Sequence, residues 1–284
     1  MNFKDCIDSY PFILMEGALG ERLKREFDLD ISGTVAMADL IYQQKGRMAL
    51  KTLWNEYMDI AHRYQLPFLA ITPTRRANKE RVYMAGYNES IITDNVDFLR
   101  TIKETVNVNM YIGGLMGCKG DAYTSERALN QEEAIAFHSW QASLFKSVGV
   151  DFLYAGIMPV LSEAIGMAVA MSDTDIPYII SFTIQRNGKL IDGHTINDAI
   201  YYINNHVSNK PVCYMTNCVH PDIVYEALSH KFNQTQMVKN RFWGIQANTS
   251  RLSYKELDGA KNLRTSSAVD LGKAILRLKS DYHL

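Results

Sequence analysis

Pro211-Val-Cys-Tyr-Met-Thr-Asn-Cys-Val-His-Pro-Asp222 carries an apolar strand straight into the start of a helix. Pro221 suits the first helical position and Asp222 the first turn, which leaves Cys218 at the junction. α/β proteins keep their chemistry at such junctions, where the carboxyl ends of strands meet the amino ends of helices. A thiol beside the positive end of a helix dipole is favoured as thiolate, the form that binds a soft metal or attacks carbon. A small buried hydrophobe at a strand end is the competing reading, and the spacing alone leaves both open.

Outward from this stretch, short apolar runs recur at 12–15, 68–71, 110–112, 152–154, 178–182, 212–215 and 242–245. They are continuous rather than alternating, as expected of parallel strands covered on both faces. Helical periodicity fills the spaces between them. From Gln131 to Val148 the apolar positions Phe137, Trp140, Leu144 and Val148 step by threes and fours, and Asn130 with Glu133 forms a capping signal. Similar patterns predict helices over about 47–64, 93–105, 160–171, 195–206, 221–230 and 266–279. No composition shift marks a linker, so residues 1–284 are expected to form one domain.

Repeating βα units predict an α/β fold of the (β/α)8 TIM-barrel type, with the doubly wound open sheet as competitor. The eighth strand is missing from this chain, because Lys279-Ser-Asp-Tyr-His-Leu284 is too short and too polar to be one. Strands one and seven are then left with open edges, which calls for covering by another segment or by a second copy in a homo-oligomer.

Composition narrows the function. Thirty basic and 31 acidic side chains leave a formal charge of −1, with no basic cluster interleaved with aromatics, so a nucleic-acid partner is not expected. The charged N-terminus lacks a signal-peptide core and Glu163 breaks the longest apolar stretch, Met158 to Met171, which predicts a cytoplasmic protein with no membrane partner. Cys6, Cys118, Cys213 and Cys218 form no Cys-x-x-Cys pair and are expected to be reduced. Cys213 and Cys218 lie five apart, so on a strand only one of them can face a site.

Ile13-Leu-Met-Glu-Gly-Ala-Leu-Gly20 resembles the Asp-Gly-Ala-Met-Gly turn that opens the homocysteine S-methyltransferase family of zinc-dependent barrels. The likeness continues in order through Gly113-Gly-Leu-Met-Gly-Cys-Lys-Gly-Asp-Ala-Tyr123, Ser181-Phe-Thr-Ile184 with Asp192-Gly193, Thr216-Asn-Cys218 and Gln246-Ala-Asn-Thr249. It implies transfer of a methyl group from a small donor to the thiol of homocysteine, as in methionine biosynthesis. Zinc held by three cysteine thiolates would turn that thiol into a nucleophile. Cys218 matches the first of the three metal ligands. Glu16 and Gly17 match the turn that holds the substrate ammonium, and Asn217 and Asn248 stand where amides can bind its carboxylate, although Asx turns explain them equally.

The departures from the family pattern are specific. The stretch from Leu257-Asp-Gly-Ala260 to Leu284 resembles the helix before strand eight, and the chain stops where the family's Gly-Gly-Cys-Cys pair would begin. Either the chain is a shortened form or its zinc site is gone. Cys118 replaces a usual proline, Gly156 a usual glutamate, and Thr72-Pro-Thr-Arg75 brings Arg75 and Arg76 to the rim. His194 and His220 read as loop or cap residues near the mouth. A catalytically silent relative that binds a small amino acid or a partner protein is the alternative function. A Schiff-base aldolase or an enolase-like lyase would need a strand lysine or clustered carboxylates, which the strands lack.

Overall fold

The computed structural model describes residues 1–257 and 262–284. In chain order it begins α1 (Phe3–Ser9), β1 (Leu14–Met15), α2 (Leu19–Glu26), α3 (Gln44–Tyr64), β2 (Phe68–Ile71), α4 (Lys79–Met84), α5 (Ser90–Lys103) and β3 (Met110–Met116). It continues α6 (Gln131–Val148), β4 (Phe152–Met158), α7 (Leu161–Ser172), β5 (Tyr178–Phe182), α8 (Ile196–His206), β6 (Cys213–Val219) and α9 (Pro221–Ser229). The last elements are α10 (Gln236–Arg241), β7 (Phe242–Ala247), α11 (Tyr254–Leu257) and α12 (Ala268–Tyr282).

Seven strands follow one another in the sheet in chain order, and the β1–β2, β2–β3, β5–β6 and β6–β7 pairs run parallel. A doubly wound sheet would reverse its strand order at a switch point, whereas a TIM-type barrel keeps chain order throughout. The order therefore decides for the α/β barrel type, short of one strand. Residues 279–282 are the last turn of α12, not a strand. Residues 258–261 of the stretch compared with the helix before strand eight lie outside the described residues. Among the described residues no helix is long and apolar enough to cross a membrane.

The chain clusters into two compact units, the first of Met1–Gly117, Ala136–Tyr154 and Thr174–Pro177, the second of Cys118–Ile135, Ala155–Asp173 and Tyr178–Leu284. In the first, α3 buries Leu50, Leu53, Trp54, Met58 and Ala61 at helical spacing, and Gln65 ends it in the left-handed region at φ 54°. β3 is buried along its whole length. A Cβ at Gly113 would lie 2.3 Å from the Phe152 ring, and one at Gly114 would lie 2.6 Å from Phe145, so glycine is what lets these rings seat on the strand. Thr72 and Thr74 hydroxyls meet at 2.7 Å, and the Thr74 hydroxyl donates to the Leu115 carbonyl at 2.8 Å. The Thr72 hydroxyl must therefore donate to Thr74, leaving its lone pair for the Leu115 N–H at 3.1 Å.

In the second unit, Asn130 and Glu133 exchange side-chain and backbone bonds at 3.0 and 3.1 Å, the reciprocal cap that their spacing predicts. Glu163 is fully buried in α7 and accepts the Lys119 N–H at 2.7 Å and the Leu129 N–H at 3.3 Å. The acid that interrupts an apolar helix in the sequence thus holds the segment after β3. β7 is only partly buried, in contrast to β5, which is buried throughout.

Candidate functional site

Strand β6 ends in an irregularity that decides where Cys218 points. Asn217 pairs with Gln246 and Val219 with Ala247, so Cys218 is the extra residue of a bulge, with φ at +57°. A left-handed backbone is uncommon for a side chain that carries a Cβ. The bulge is held by the Asn248 amide, which donates to the Cys218 carbonyl at 2.9 Å, and by the Asn248 N–H, which donates to the Val219 carbonyl at 3.0 Å. As a result Cys218 is exposed while Cys213 is buried, and burial pushes the Cys213 thiol up to about 12. One cysteine of the pair is exposed and the other buried, and the bulge rather than regular strand alternation sets the difference.

Cys218 lies on the wall of a cavity of about 370 Å3, with Asn217, Thr183, Gln185, Arg186, Tyr123 and Tyr254 among its lining residues. Asn217 is fixed on two sides: its carbonyl accepts from the Ser181 hydroxyl and its amide donates to the Gln246 side chain. Arg186 is braced by both carboxylate oxygens of Glu226 at 2.8 Å and by the Arg251 carbonyl at 3.0 Å. His220 caps α9, its Nδ1 accepting the Asp222 N–H at 3.1 Å. Burial lowers its pKa, which keeps the ring neutral and free to accept that bond. His194 stays a loop residue beside Asp192, whose carboxylate accepts the Leu161 N–H at 2.6 Å.

Glu16 and Gly17 belong to the first unit. Glu16 follows β1, is 4 % exposed, and accepts the Ile71 N–H through Oε1 at 2.8 Å. Burial pushes its carboxyl up to about 8. At Gly17 a Cβ would come within 3.2 Å of the Tyr57 hydroxyl. Arg75 and Arg76 are half-buried in the turn after β2.

Residues 13–270 match the family model for homocysteine S-methyltransferase. The chain belongs to the homocysteine S-methyltransferase family. Solved structures of the homocysteine methyltransferase MmuM from Escherichia coli share its fold. The metallated form superposes with a TM-score of 0.69 at 18% identity, covering 85% of each chain. The oxidised form gives 0.68 at 17%, covering 85% of this chain and 93% of MmuM, and the apo form gives 0.63 at 18%, covering 88% and 86%. No curated protein sequence matches this one significantly.

Relatives of this methyltransferase family are typically zinc-dependent, so the donor set has to be tested against zinc. Zinc takes four ligands, at least three of them from the protein. Cys218 is the one thiol among the cavity-lining residues, and Cys118 is buried with its Sγ 3.6 Å from the Gly120 carbonyl. Among the described residues no three His, Cys, Asp or Glu side chains converge to hold a metal ion. Those residues do not fit zinc.

Sequence reasoning passed over Tyr254 and Arg186 and quoted Tyr123 only inside a motif. Isolated aromatics and rim charges carry no periodic signal, and their convergence is a product of the fold. Glu163 could have been found, since a lone acid within an apolar helix is costly unless it serves buried donors.

Proposed function

We propose that this chain acts on homocysteine or a similar small amino-acid thiol, seated against Cys218, and that the reaction is methyl transfer to that thiol from a small donor. The observation that carries the reading is the exposed Cys218 thiol on the wall of a cavity of about 370 Å3. Asn217 and the Asn248-held bulge orient the thiol. In this family zinc favours the thiolate form of the substrate, a role that the described donors of this chain do not support. The protein is further proposed to work as one barrel domain in the cytoplasm, without nucleic-acid or membrane partners, and with its sheet edges covered by a second copy.

A second reading is favoured by the donor set: a catalytically silent relative that binds the amino acid alone. Metal content and turnover separate the two. Protein that retains about one zinc per chain and converts homocysteine to methionine with a methyl donor supports the transferase. Metal-free protein that binds homocysteine without turnover supports the silent binder, and failure to bind homocysteine at all defeats both.

A further inference from the structure

Two segments far apart in sequence meet at the cavity through a pair of rings. Tyr123, after β3, and Tyr254, after β7, stack with centroids 4.8 Å apart and planes 21° from parallel, and both line the cavity that Cys218 lines. The Tyr123 side is anchored in the core. Its N–H donates to the Asp121 carboxylate at 2.6 Å, and the neighbouring Ala122, 3 % exposed, accepts the buried Thr183 hydroxyl at 2.6 Å. The Tyr254 side rests on surface bonds: the Ser253 N–H and hydroxyl donate to Glu256 at 2.8 and 2.7 Å, and Arg186 holds the Arg251 carbonyl at 3.0 Å. A ring tied to the core beside Ala122 therefore stacks on a ring of the segment after β7, on the wall of the cavity.

We infer that the Tyr123–Tyr254 stack is a specificity element that sets the size of molecule able to lie against the Cys218 thiol. The inference shares the cavity of the proposed function and does not depend on methyl transfer. A small molecule reaches the thiol with the rings in contact, whereas a bulky one has to part them. Parting them costs the stacking contact, and removing either ring abolishes that cost.

The test is the rate of Cys218 alkylation in the intact protein, followed by mass spectrometry, with iodoacetamide as the small reagent and N-phenylmaleimide as the bulky one. Tyr123→Ala and Tyr254→Ala should each raise the bulky-to-small rate ratio about fivefold, the scale set by one aromatic pair. Tyr254→Phe should leave the ratio unchanged, and the double alanine variant should match either single one, because each already breaks the same contact. Continued protection of the buried Cys6 and Cys213 reports that the variants remain folded. The inference is overturned if both reagents accelerate alike, if Tyr254→Phe behaves as the alanine variant does, or if the single effects multiply in the double variant. Failure of homocysteine to bind would leave these ratios untouched, so this inference and the methyltransferase reading fall separately.

Discussion

Glu16 and Cys218 hold the same topological place, at or just after the carboxyl end of a parallel strand, yet their surroundings are opposite. Glu16 is sealed in, bonded to the Ile71 backbone, and pushed by burial to about 8. Cys218 is turned outward by a bulge and is exposed on the wall of a cavity. Burial at one strand end suppresses charge, and strain at the other presents a nucleophile. A βα fold offers equivalent positions, and local packing decides which becomes reactive.

The largest expected effect lies at the sealed end. A carboxyl whose folded pKa is raised holds its proton in the fold while the unfolded chain has already released it. Stability is therefore lost as pH rises from about the ordinary carboxylate value toward about 8. The slope approaches about 1.4 kcal/mol per pH unit for one proton, and Glu16→Gln should remove it. Urea unfolding of both proteins from pH 5 to pH 9 reads the difference directly. Parallel profiles would show that Glu16 is ionised in the native state.

Packing gives the next contrast. Gly113→Ala drives a methyl into the rigid Phe152 ring, 2.3 Å away, and should cost about 3 kcal/mol, at the upper end for overpacking. Gly244→Ala on the half-exposed β7 meets the flexible Met215 side chain at 2.8 Å and should cost about 1 kcal/mol. Equal losses in urea midpoint would erase the distinction between the two regions. The smallest effect is expected at the bulge, where Cys218→Gly relieves a left-handed backbone and should gain about 0.5 kcal/mol, less than the full strain because glycine is also freer when unfolded. A loss of stability there would mean that the contacts of the Cys218 side chain outweigh the backbone strain.

Much of this was legible in the residues. The strands at 68–71 and 178–182 and the helix over 131–148 match in full, because continuous apolar runs and the Asn130–Glu133 cap state their periods plainly. β1 is shorter than its apolar run, since the exposed Phe12 and the neighbouring Ile13 lie outside the strand pairing. α1, α2, α4, α10 and α11 were missed, being short helices whose stability comes from docking rather than propensity. At the site, Cys218 was readable from the strand-to-helix junction. The bulge that turns it outward, and the roles of Asn217 and Asn248 in holding the strand ends, depend on pairing register and side-chain partners that spacing does not encode.

The most direct test of the account is protection of Cys218 by L-methionine, the thioether that methyl transfer to homocysteine yields and one that does not compete for a thiol reagent. Seating of the amino acid against the thiol predicts that methionine slows iodoacetamide labelling of Cys218 saturably, at one site per chain, while alanine does not. Labelling at an unchanged rate across the whole methionine titration would contradict it.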